Sequence, residues 1–187
     1  MSLPRSLFCF VAVLSGAAAV ACDNPLALPP ARFANEIDTT TIHALRGTPI
    51  ALPSAFDIVA NTPARTDRAE PFDFAFDIDS GGNALLKPAG ALGLTNEPGI
   101  LVSSDPFDSI VTAPLDGYVI DSEVPVRVGT VFIARSRTES CSRTVALPRY
   151  GKFRVLELDL QERALTLQKL VNTNCGFRSL VPGTPTS

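Results

Sequence analysis

His43 is the only histidine of the chain, so any Ser-His-Asp triad would have to be built on it. The sequence contains no Gly-x-Ser-x-Gly nucleophile turn to accompany it. His43 ends the run Asp38-Thr39-Thr40-Thr41-Ile42, where a structural, partly exposed position on a strand is expected. Asp77, Asp79 and Asn83 resemble the start of a calcium loop, which needs an acid near its twelfth position. Counted from Asp77, that position is Pro88, so a hairpin turn capped by acids fits better. Asp77 and Asp79 also have the spacing to share a strand face as a glycosidase pair, but nothing in the sequence builds a cleft around them. Tyr118, Tyr150 and the alternating Phe72, Phe74 and Phe76 could line a ligand pocket, although aromatics at such positions more often fill a core. No catalytic, cofactor-binding or metal-ligating set is expected, and the chain reads as a non-enzyme.

The cysteines carry more information. Arg5 precedes the apolar run Leu7–Leu14, which leads into small residues ending Ala19-Val20-Ala21-Cys22. This is the three-part layout of a secretory signal. The apolar stretch of about 15 residues is short of the roughly 20 that a spanning helix needs. Ala19-Val20-Ala21 suits ordinary signal cleavage, and with Cys22 it also resembles the bacterial lipobox. Both predict the cut before Cys22. Cys9 would leave with the signal, and Cys22, Cys141 and Cys175 would remain, an odd number in an oxidising compartment. Lipidation of Cys22 resolves the count, because Cys141 and Cys175 can then pair. Several acyl chains at about 0.8 kcal/mol per buried methylene make a stable anchor. The following Asp-Asn-Pro-Leu-Ala-Leu-Pro-Pro-Ala-Arg segment is proline-rich and suits a semi-rigid spacer.

These signals divide the chain into a lipoprotein signal peptide (1–21), a lipid-anchored tether (22–32), an all-β domain (33–178) and a flexible tail (179–187). The formal charge is −3, and removing Arg5 with the signal makes it −4. A mildly acidic chain with no basic cluster argues against nucleic-acid binding and against a polybasic membrane patch. Sixteen prolines and twelve glycines interrupt the sequence too often for long amphipathic helices.

Short β-rich runs between breakers predict an all-β fold, an antiparallel sandwich or a partly open barrel. Phe33 to Leu45 should contain a strand, and Ala60 to Pro71 should be a surface loop. Phe72 to Ile78 should place Phe72, Phe74, Phe76 and Ile78 on a core face, with Asp73, Ala75 and Asp77 on a solvated one. Ser80-Gly81-Gly82-Asn83 should turn the chain into a return strand over Ala84 to Lys87. Phe107 to Ile120 reads as strand-like ends around a turn at Pro114 to Gly117. Val128–Arg135, Tyr150–Asp159 and Leu165–Val171 should form a meander, the last two joined by a hairpin at Leu160–Arg163. That topology puts Cys141 and Cys175 at the same end of the sheet. A disulfide closing a loop of about 34 residues would stabilise the fold by roughly 4 kcal/mol.

Several of these segments, in order, resemble the HmuY-like family of haem-binding lipoproteins from Bacteroidetes. FDFAF at Phe72 to Phe76 is similar to that family's aromatic-x-x-Ala-Phe strand. FDSIVTAPLDGYVID at Phe107 to Asp121 is similar to its Phe…Ala-Pro…Gly-Tyr…Asp segment. TVFIARSR at Thr130 to Arg137 and YGKFRVLELD at Tyr150 to Asp159 resemble its paired C-terminal strands. The resemblance covers residues 72 to 171 and implies a largely antiparallel all-β fold. It implies haem carriage only where a His or Met of the β domain supplies an axial ligand, and none stands at a matching position here. The expectation is therefore an exported lipoprotein of the cell envelope, held to a bacterial membrane on its periplasmic or outer-surface face. Its folded part would be a binding or structural module for an unknown envelope protein or small ligand, with small-ligand carriage of the haem type as the alternative.

Overall fold

A computed structural model describes residues 28–95 and 97–185. The expected signal peptide, Cys22 and the first part of the expected tether lie outside the described residues. Among the described residues the chain forms two five-stranded antiparallel sheets, packed as a β-sandwich. The first sheet has the order β1-β10-β9-β8-β6: β1 (Ile37–His43), β6 (Gly99–Ser103), β8 (Val131–Ser140), β9 (Ala146–Asp159) and β10 (Ala164–Asn172). The second has the order β3-β2-β4-β5-β7: β2 (Ala55–Asp57), β3 (Thr62–Ala64), β4 (Phe74–Ile78), β5 (Ala84–Pro88) and β7 (Val124–Pro125). The sheets stay open at their edges, so the sandwich, not the barrel, is the architecture.

The long meander β8-β9-β10 forms as its alternating apolar residues predict. Asp159 fixes its second turn by accepting hydrogen bonds from the amides of Gln161 and Glu162 at 2.8 and 2.9 Å. The period of two sends Phe132 and Ala134 of β8 into the space between the sheets, with Phe153 and Val155 of β9 and Leu165 and Leu167 of β10. Phe56 and Phe74 of the second sheet meet them. The Phe132 and Phe153 rings stack at 5.0 Å, and Phe56 and Phe74 each stand edge-on to Phe153 at 5.5 Å. Each such ring, fully buried, contributes roughly 1.5–3 kcal/mol. Phe74 and Phe76 thus fill the core as expected. Phe72 does not join them, because β4 starts only at Phe74, and its ring packs on the far side of the second sheet against Ala55, Ala64 and Ala75.

The first sheet is covered on both faces. Val131 and Ile133 of β8, Tyr150 of β9 and Leu170 of β10 point away from the main core, and Phe107, Ile110, Ala113 and Leu180 cap them. This corrects two expectations. Phe107 to Ile120 forms no hairpin: Phe107–Ser109 is a 3-10 turn, and single bridges tie Thr112 to Ser179 and Val119 to Ile100. Its apolar residues follow the exposed face of the sheet rather than a partner strand of their own. Nor are residues 179–185 of the expected tail loose. Leu180 is fully buried, and Gly183 exchanges backbone hydrogen bonds with Asn35 at 2.9 and 3.0 Å.

Two smaller differences remain. The expected loop Ala60–Pro71 contains β3, which pairs with β2. Asp73, Ala75 and Asp77 are not solvated but 1%, 0% and 1% exposed, because cationic side chains close over the two carboxylates.

Candidate functional site

The end of the first sheet at which the meander turns from β8 to β9 holds the cysteine pair and a cleft beside it. Cys141 opens the β8–β9 turn, where its amide donates to the Val145 carbonyl at 2.8 Å. Cys175 follows the end of β10. Since β8 and β10 run the same way through the meander, both cysteines reach one end, and they stand as a disulfide pair with Cα atoms 5.5 Å apart. Residues 28–33 lie against this end. Asn174 accepts the amides of Arg32 and Phe33 on Oδ1 at 2.8 and 3.0 Å and returns its Nδ2 to the Phe33 carbonyl at 2.8 Å. Gly176 has φ +83°, and a Cβ there would stand 2.7 Å from a methyl of Leu28. Above the disulfide is a cleft of about 310 Å³, whose lining includes Pro30, Arg32, Phe33, Ser140, Arg149 and Thr173. Arg149 donates one terminal nitrogen to the Val59 carbonyl at 2.6 Å, and its buried Nε has no partner among the described residues.

A buried charge cluster nearby carries no mark in the local sequence. Arg137 of β8 binds Asp57 of β2 with both terminal nitrogens at 3.1 Å. It also reaches Asp73 at 3.3 Å and Glu139 through Nε at 2.9 Å. Asp73 accepts the amides of Ile58 at 2.7 Å and Arg137 at 2.8 Å, so it joins the two sheets. Burial pushes the Asp73 carboxyl up to about 6, against the opposing pull of these amides and of the Arg137 charge. Sequence alternation assigned Asp73 to a solvated face, because its partner is 64 residues away. Lys152 is a second buried cation. Its Nζ donates to the carbonyls of Phe107 and Ile110 at 2.9 Å each and lies 4.6 Å from the Phe107 ring centre. Burial holds its pKa below the ordinary lysine range, with Asp108 pulling the other way. It fastens the covering segment to the first sheet.

The other residues weighed in the sequence are dispersed. His43 ends β1, where its amide donates to the Pro53 carbonyl at 2.8 Å. Asp77 turns to Arg46 at 2.7 Å, while Asp79 caps the β4–β5 turn by accepting the amides of Gly81 and Asn83 at 2.8 Å each. The oxygens of the would-be calcium loop therefore serve two separate structures. Tyr150 belongs to the second core. Tyr118 stands 6.4 Å from it, donates to the Pro114 carbonyl at 2.9 Å and lies under the Arg135 guanidinium. Among the described residues no group of three or more His, Cys, Asp and Glu could hold a metal ion, and no helix is long and apolar enough to cross a membrane. No protein-family model, no curated protein and no solved structure matches this chain.

Proposed function

We propose that the chain is an exported bacterial lipoprotein, cut before Cys22, acylated on that cysteine and presenting its β-sandwich as a non-enzymatic binding or structural module of the cell envelope. One observation carries this reading. Ala19-Val20-Ala21-Cys22 follows a short apolar run, and Cys141 and Cys175 lie at disulfide distance from each other. Cys22 is then the one cysteine of the cleaved chain left for acylation. Arg32 at the end of the tether and Phe33 at the start of the domain are bound by Asn174, which supports an anchored end close to the disulfide. Phe74 and Phe76, two of the aromatic side chains suited to line an internal pocket, are packed in the core instead, which favours recognition at the surface.

The test is the mass of the N-terminal peptide of protein recovered from its native host, together with membrane fractionation. An acylated Cys22 and a membrane-bound wild type are expected, with Cys22→Ser moving the protein to the soluble fraction. An unmodified N-terminus on a freely soluble wild type overturns the reading. Carriage of a haem-type ligand is the second reading. It is favoured by the antiparallel all-β fold across residues 72 to 171, where the HmuY-like resemblance lies. A shift of the Soret band on adding haem would support it, and an unchanged spectrum removes it.

A further inference from the structure

We infer that the cleft above the Cys141–Cys175 disulfide is a binding site for a phosphoryl group. Its lining brings together Arg32 and Arg149, from opposite ends of the chain, and places no carboxylate beside them. Neither arginine forms an ion pair among the described residues, so no carboxylate neutralises the cleft. Arg149 is held in place by its hydrogen bond to the Val59 carbonyl at 2.6 Å. The hydroxyls of Ser140 and Thr173 line the same cleft and have no hydrogen-bond partner among the described residues.

The donor set selects the ligand. Two guanidiniums and two hydroxyls offer more donors than the two oxygens of a carboxylate can use, and they suit a tetrahedral oxyanion. Asn174 also lines the cleft, but its amide is occupied in holding Arg32 and Phe33, so its role is to fix the Arg32 backbone. A volume of about 310 Å³ is at the lower end of small-molecule sites, enough for a phosphate and a short substituent. Phe33 is 61% exposed at the rim, where an aromatic ring can cover an organic substituent. The phosphoryl group could come from a soluble phosphate or from a phospholipid headgroup, and the two sources present the same chemistry to the cleft.

The inference stands on the cleft alone and not on acylation. All samples are therefore the full chain carrying Cys22→Ser, so that no fatty chain contributes to binding. Inorganic phosphate is titrated calorimetrically at constant ionic strength. Co-sedimentation is measured with vesicles of phosphatidylcholine, with and without phosphatidylglycerol. Saturable binding to phosphate, to the phosphatidylglycerol vesicles or to both is expected, and it identifies the source. Arg32→Ala and Arg149→Ala should each weaken it by at least about tenfold. Arg32 is the safer variant for folding, because only its backbone is held by Asn174. Arg68→Ala, which removes an exposed charge elsewhere, should leave binding unchanged. The inference is overturned if neither probe binds saturably, if acetate binds as tightly as phosphate, or if Arg32→Ala and Arg149→Ala both bind like the parent.

Discussion

Asp73 and Asp77 stand four residues apart, have the same chemistry and are equally buried, yet their surroundings differ. The Asp77 side chain is 2% exposed, but its main partner Arg46 is 65% exposed, with Lys87 further off at 3.7 Å. Asp73 has no exposed side chain surface, and its partner Arg137 is itself only 14% exposed while serving Asp57 as well. Water can reorganise around the Arg46 end of one pair and not around the other. Burial of a carboxylate therefore says little about its energetic role until the exposure of its partner is known.

Arg137→Ala should break the comparison most severely. It leaves Asp57 and Asp73 buried without their cation, and a loss of about 3–5 kcal/mol is expected in urea unfolding. The pH dependence comes next. Asp73 has a folded-state pKa of about 6, above the ordinary 3.8, so the folded state binds its proton more tightly than the unfolded chain does. Its contribution is fully present below pH 3.8 and is lost as pH rises through 6, by about 3 kcal/mol in total. The difference between wild type and Asp73→Asn, followed from pH 4 to 7, isolates this term from the other carboxylates. A difference that stays flat with pH would show that Asp73 is charged throughout. Arg46→Ala should have the smallest effect on the urea midpoint, since that arginine is already in water. A loss as large as that of Arg137→Ala would erase the distinction between the two ends of the strand.

The meander and the cysteine pair were the most legible parts of the fold. Leu156 and Leu158 alternating with Glu157 and Asp159, then a four-residue turn, then Leu165 and Leu167, state a hairpin in purely local terms. The covering segment was not legible. Phe107, Ile110 and Ala113 recur every third residue, which is not the period of two that marks a strand, because they answer to the outward face of β8–β10 rather than to a ladder of their own. Leu180 in a Pro- and Gly-rich terminus was missed for the same reason. The candidate site was half visible. The two cysteines came from counting and topology, while Arg32 and Arg149 have no sequence relation and line one cleft because the backbone at Arg32 and Phe33 is held by Asn174.

Periodicity and breaker spacing are local properties, so the sequence by itself determined the all-β class, the antiparallel meander and the end of the sheet at which Cys141 and Cys175 come together. Which polar residues would be buried, and with whom, was decided only by the tertiary structure. Asp73 with Arg137 and Lys152 with the carbonyls of its cover join residues distant in the chain, and Arg32 and Arg149 line one cleft from opposite ends of it. A charge is stabilised by whatever surrounds it in space, and alternation along a strand carries no information about the layer that will close over it.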